Sequence, residues 1–230
     1  MEQGFKSSHF KSGQNSLFKA ASTAAFIIVV CMLIHNFNAL YYEPVHLGFV
    51  DKAKDYGDMA KIENAIWSWA FTSSGIAHMV VGFSMMILGL GLARLAVHTH
   101  PIASQLIFLA AVLSGIGFLL TGISDIPGTK YAELLRNLNP EYNTDILLMT
   151  TMIRGVVNTL AIVCLGWLAG MVGWYARSSK AFPGWFAWFS YLLALPGLLA
   201  MFNPVMGFSY LVLCPIWAFA LGIYMRRRVA

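Results

Sequence analysis

The chain has 230 residues, of which 58% are hydrophobic and only 11% charged, with a net charge of +5. A soluble domain is about 45–50% apolar and about 25% charged, so charge this scarce leaves too little polar surface for a water-soluble globule. The pI near 9.2 does not point to nucleic acid, because the basic residues are scattered over segment ends and form no patch with interleaved aromatics. Mean hydropathy is +0.67, and apolar segments of bilayer-spanning length recur along the chain. The expectation is an all-α, multi-pass membrane protein with one domain of six transmembrane helices, residues 18–225. A cytoplasmic tail of residues 1–17 precedes it and a basic tail of residues 226–230 follows it.

In chain order, the spans cover residues 18–41, 66–93, 102–124, 146–175, 185–202 and 205–225. The first is too long for a signal-peptide core and no small-x-small site follows it, so it reads as a retained helix. Pro101 and Pro183 stand at helix starts, where a missing N–H costs nothing. Asn203-Pro204 reads as an N-cap and first helical residue, and Pro196 and Pro215 fall within spans five and six, where they predict kinks. Two loops carry apolar residues near helical spacing among charges: Val50, Ala53, Met59 and Ile62 in the first, then Tyr131, Leu134, Leu135 and Leu138 in the second. Each predicts a short amphipathic helix, lying on the membrane interface or packed on the end of the bundle.

Orientation follows from Lys and Arg. With the N-terminus cytoplasmic, Lys6, Lys11, Lys19, Arg94, Arg177, Lys180, Arg226, Arg227 and Arg228 lie inside, against Lys52, Lys54, Lys61, Lys130 and Arg136 outside. This bias places both termini in the cytoplasm, and the setting it suggests is a bacterial inner membrane. Tyr41, Tyr42, Trp67, Trp69, Trp174, Tyr175, Trp185 and Trp188 sit near span ends and predict an interfacial aromatic belt. Small residues predict close helix contacts at Gly89-Leu-Gly91, Gly115-Ile-Gly117 and Gly166-Trp-Leu-Ala-Gly170. Cys31, Cys164 and Cys214 lie inside apolar segments and read as packing residues.

The most informative residue is Arg154, in the middle of span four. An Arg at a helix centre costs roughly 2.5–3.5 kcal/mol on insertion scales, so its donors require partners inside the fold. Helical stripes supply them: Cys31, His35, Asn38 and Tyr42 on span one; Ser74 and His78 on span two; Ser114, Thr121 and Asp125 on span three; Thr150, Arg154 and Asn158 on span four. From a rise of about 1.5 Å per residue, Asp125 and Asn38 fall near the outer surface, His35 about 8 Å deep, Arg154 about 12 Å, and His78 and Asn158 about 18 Å. The expectation is an outward-facing polar pocket with Arg154, Asn158, His78, His35, Asp125, Asn38 and Thr121 as ligand-binding residues. Its structural alternative is an Arg154–Asp125 pair that ties helix ends together.

No metal site and no cofactor is expected. A depth difference of about 10 Å between His35 and His78 argues against a haem held by both, and His98-Thr-His100 reads as solvated loop histidines. No GxSxG, HExxH or P-loop pattern occurs. The partners expected are a membrane lipid or other hydrophobic ligand, or partner subunits or further copies of the chain. The functional readings are binding of an amphipathic ligand, Arg154 anchoring an anionic head group, or service as an accessory subunit. The alternatives are an intramembrane enzyme acting on a lipid or isoprenoid, with His35 or His78 as general acid/base, or a small transporter.

Three stretches carry a resemblance. A long loop after span one opens Tyr41-Tyr42-Glu43-Pro44-Val45, a glycine-rich third span runs from Gly115 to Asp125, and the last helix runs from Trp217 to a basic end at Arg226. In this order of features the chain resembles a group of six-helix bacterial membrane proteins that have no assigned activity. The first loop departs from the group's short Ser-rich form. The resemblance implies the architecture and no catalytic residue.

Overall fold

A computed structural model describes residues 2–50, 55 and 58–229. Every secondary-structure element among them is helical. Helix α1 (Glu2–Phe37) passes through a π-helical turn (Asn38–Tyr42) into α2 (Glu43–His46). Then come α3 (Met59–Ile66), α4 (Trp69–Ala96) and α5 (Pro101–Ile123). A second π-helical turn (Ser124–Gly128) carries α5 into α6 (Thr129–Leu138). After a 3-10 turn (Pro140–Tyr142), α7 (Asn143–Ser179) and α8 (Gly184–Leu199) follow. A last 3-10 turn (Pro204–Ser209) leads to α9 (Tyr210–Arg227).

Local chemistry explains several boundaries. Ser68 caps α4 by accepting from the Phe71 N–H, and Asp58 caps α3 by accepting from the N–H groups of Ala60 and Lys61. Pro101 occupies the first turn of α5, and Lys180 (φ +54°) stops α7 in the left-handed region. Asn203 accepts from Met206 at the start of a 3-10 turn, so α9 begins five residues later than span six was drawn.

Four continuous helical stretches are long and apolar enough to cross a bilayer: Asn15–His46, Trp69–Ala96, Pro101–Leu138 and Pro140–Ser179. Their outer faces are apolar, with Val30, Leu33, Phe83 and Val156 all exposed. A water-soluble monomer rarely shows so much contiguous apolar surface, and these features mark a membrane protein.

Around the bundle, α1 packs between α4 and α9, α4 against α5, α5 against α7, and α7 against α8. The paired glycines explain how one helix serves two neighbours. A Cβ at Gly89 would meet Ala111 of α5, and one at Gly91 would meet Ala21 of α1. Likewise Gly115 faces Gly82 of α4, while Gly117 faces Ala161 of α7. Gly166 meets Gly197 backbone to backbone. These faces are therefore occupied within the chain.

Side-chain donors lock the same contacts: Ser114 Oγ to Ala161 O (3.0 Å), Ser22 Oγ to Gly222 O (2.8 Å), Tyr210 OH to Leu193 O (2.8 Å) and Trp217 Nε1 to Ser190 Oγ (2.9 Å). In hydrocarbon no water competes for these carbonyls. One apolar core runs through the bundle, with Trp217, Phe186, Met85 and Leu165 fully enclosed.

The belt expectation needs one correction. Trp67, Trp69, Trp174, Trp185 and Trp188 are exposed, but Tyr175 is buried and its hydroxyl donates to Leu95 O at 3.0 Å. Tyr175 thus ties the end of α7 to the end of α4.

The two short helices take different roles. In α3, Ile62 and Ala65 are buried against Phe49 and Leu147. In α6, Tyr131, Leu134, Leu135 and Leu138 all face outward, the arrangement expected of a helix at a membrane interface. Ala53 lies outside the described residues, and Val50 is exposed.

Candidate functional site

Asp125 is the centre of the polar cluster. It sits in the π-helical turn after α5 and is 2% exposed. Two glycines bring it against α4: a Cβ at Gly75 would lie 2.8 Å from Asp125 Cβ, and one at Gly122 would lie 2.4 Å from Gly75 O. A π-helical turn rotates the residues after it relative to a regular helix, and here it delivers a carboxylate into the bundle. The carboxylate is thus enclosed by neighbouring helices. The chain does not end a span there but continues helically to Leu138.

Both carboxylate oxygens are engaged. His78 Nδ1 lies 3.1 Å from Oδ2, and Arg154 Nε donates to Oδ1. With the carboxylate accepting, the His78 proton sits on Nδ1. The Arg154 guanidinium also lies over the Phe71 ring, 4.6 Å from its centroid, a cation–π contact. Arg154 thus has partners on α4 and in the α5 turn, which offsets much of the cost of a cation at this depth.

His35 completes the chain of polar groups, its ring centroid 4.7 Å from that of His78. The expected depth difference is thereby overturned. Its cause is the two helix boundaries. Helix continues past span one to His46, and α4 begins at Trp69, so the two residues lie about 16 Å and about 14 Å from those ends. Imidazoles in mutual contact leave no gap for a porphyrin between them. Among the described residues no group of three metal-ligating side chains converges.

Asn38, fully buried, belongs to the same layer. Its Nδ2 lies 2.9 Å from Ala70 O, 3.0 Å from Ser73 Oγ and 2.8 Å from Ser74 Oγ. Ser74 is one helical turn before His78. Thr121 is buried too, but its hydroxyl donates to Gly117 O of its own helix at 2.9 Å, the local use open to any helical threonine. Asn158 is half-buried one turn beyond Arg154 and does not line the cavity described next.

Beside Arg154 lies a cavity of about 50 Å³. Its polar wall includes Arg154, Thr150, Thr151, Ser124 and Glu43, and its apolar wall includes Phe49, Ile62, Ile66, Phe71 and Leu147. The wall's four hydroxyls all donate within their own helical stretch, Ser124 to Leu120 O, Thr129 to Asp125 O, Thr150 to Ile146 O and Thr151 to Leu147 O. Arg154 joins this cavity to the buried Asp125–His78 pair through the Asp125 carboxylate, and Thr129, also in the wall, donates to Asp125 O at 2.8 Å. The sequence pattern did not single out Phe71, Glu43, Thr151 or Ser124. Phe71 and Thr151 could have been found one turn from Ser74 and Leu147 on the same helix faces. Glu43 and Ser124 could not, because they follow and open the π-helical turns.

No family model, curated protein or solved structure matches the chain, so any reading of its function rests on this geometry.

Proposed function

We propose that the protein binds an amphipathic ligand at the cavity beside Arg154, with the ligand's anionic end against the guanidinium. The observation that carries this reading is a guanidinium held by a buried carboxylate while lining a cavity of mixed polar and apolar walls. A carboxylate or phosphate suits the planar fork of Arg. At about 50 Å³ the cavity is far below the roughly 300–1,000 Å³ of a whole-ligand site, so it takes an end group. The apolar tail then lies along the exposed stripe of α7 formed by Met149, Met152, Ile153 and Val156.

A photoreactive long-chain fatty acid tests this. Cross-links are expected at Phe49, Ile66, Leu147 and Met152. Arg154→Gln is expected to reduce them about tenfold, the effect of losing one charge-assisted contact, while Arg154→Lys keeps part of the labelling. Equal labelling of wild type and Arg154→Gln, with both proteins folded, contradicts the reading.

The second reading is an intramembrane enzyme on a lipid or isoprenoid. The observation in its favour is the His78 imidazole oriented by Asp125 through Nδ1, the arrangement that prepares Nε2 as a base. His78 is 5% exposed and does not line the cavity, which is why ligand binding is preferred.

The reading includes six spans, with α8 and α9 as the fifth and sixth, both termini cytoplasmic, in a bacterial inner membrane. It is supported by the Lys/Arg distribution and by the return of α9 to the end where α7 stops, where Arg228 Nη2 donates to Ala181 O at 2.9 Å. Cys31, Cys164 and Cys214 are buried, so introduced thiols report topology cleanly. Glu141→Cys should react with an impermeant maleimide in intact cells, and Ser178→Cys only after lysis. The reverse pattern contradicts this orientation.

A further inference from the structure

At the other end of the bundle from Asp125, the turn between α7 and α8 borders a second cavity, open to the surface and of about 330 Å³. It is lined by Arg177, Lys180, Phe182, Gly184, Ala187 and Trp188. Along α7, Arg177 stands 32 residues beyond Asp145, about 50 Å away in helix length. We infer that this cavity binds the phosphodiester head group of an anionic phospholipid.

Three observations support the assignment. The first is charge. Arg177 and Lys180 line the cavity, and Arg228, followed back along α9 by Arg227 and Arg226, is bonded to Ala181 of the same turn. The Lys61–Asp55 and Arg136–Glu63 pairs and those of Asp125 lie toward the opposite end. Among the described residues that line this cavity there is no Asp or Glu, and cations so placed favour a phosphate at a membrane surface.

The second is the shape of the turn. Lys180 reverses the chain in the left-handed conformation (φ +54°), and Pro183 starts α8 with Gly184 at the cavity wall. The first N–H groups of a 16-residue helix therefore stand beside the two cations, the polarity an anion prefers.

The third separates a lipid from free phosphate. Trp188, at the cavity, is followed along α8 by Leu192 and Leu195, all strongly exposed. Their spacing of four and three residues puts them on one face, an apolar strip leading away from the cations on which acyl chains can lie. Arg177 stacks over Trp188 at 5.2 Å, so head-group and chain contacts begin at the same pair of side chains. A bare phosphate has no use for that strip.

The test is native mass spectrometry of the detergent-purified full chain, titrated with phosphatidylglycerol, with phosphatidylcholine, and with inorganic phosphate as competitor. Wild type is expected to prefer phosphatidylglycerol. Arg177→Gln with Lys180→Gln should weaken its binding about 30-fold, the factor for two interfacial charges, and the charge-keeping pair Arg177→Lys with Lys180→Arg should retain it. Trp188→Ala should weaken both lipids alike. All three substituted positions carry exposed side chains, and an unchanged melting temperature verifies the fold. Equal affinity for the two lipids, no change in the Gln variant, or displacement of the lipid by inorganic phosphate at matched concentration would overturn the assignment. None of these results bears on the Arg154 cavity.

Discussion

Asp125→Ala is expected to destabilise the protein by about 3 kcal/mol, the size found when one member of a buried pair is removed. The carboxylate is almost fully enclosed and satisfies two donors, His78 Nδ1 and Arg154 Nε. Its loss removes, within a membrane span, the carboxylate that accepts from Arg154 Nε. Arg154 would then have to snorkel toward the interface, abandoning its place over Phe71. In thermal unfolding in detergent this corresponds to a midpoint lower by about 10 °C for a chain of this size. Asp125→Asn keeps the shape and one acceptor, so about half the loss is expected. A wild-type midpoint for Asp125→Ala would show that the carboxylate does not anchor these helices.

Gly82→Ala is expected to be nearly as damaging, although it adds one methyl group. Its Cβ would stand 2.6 Å from Gly115 O and 2.6 Å from Leu119 Cγ. The carbonyl belongs to the backbone of α5, so no rotamer change relieves the contact, and the two helices must separate. Overpacking of this kind costs about 1–3 kcal/mol or more. Gly155 provides the matched control. A Cβ there meets nothing within 4 Å, so Gly155→Ala should gain roughly 0.5–1 kcal/mol from helix propensity. Melting curves of the two variants should move in opposite directions. Similar shifts in both would mean that α4 and α5 do not approach at Gly82. Gly75→Ala would act on the site itself, since its Cβ meets the side chains of Asp125 and Ile126.

Much of this site could be read from residue spacing. Arg154 demanded partners because lipid offers none, and helical stripes on spans one to four indicated which faces could supply them. Asp125, His78, His35 and Asn38 do gather in one layer, through contacts that begin at Asp125 and Ser74. Depth was the weak point. It was counted from span ends, and two π-helical turns carry helix past the places where charge and proline suggest a stop. Counting from those stops separates His35 from His78, whose rings are in contact. Sharing a face was also insufficient. Thr121 and Asn158 lie on the correct stripes, yet one bonds its own helix and the other does not line the cavity. The cavity walls from α3 and the π-helical turns depend on how loops fold back, which periodicity does not encode. Close packing, by contrast, was signalled directly, because glycines two apart on one helix point to different neighbours.

Asp125, buried, and Arg154, half-buried, act as one unit that joins the turn after α5 to α7. A double-mutant cycle tests it most directly, using Asp125→Leu, Arg154→Leu and the combination, with unfolding measured in the same detergent. Each single variant removes one member of the pair and leaves the other charge in place, whereas the double variant removes both charges. The double variant is expected to be more stable than Asp125→Leu alone, with a coupling of about 2 kcal/mol or more. Additive losses, the double variant falling below the wild type by the sum of the two single losses, would contradict it.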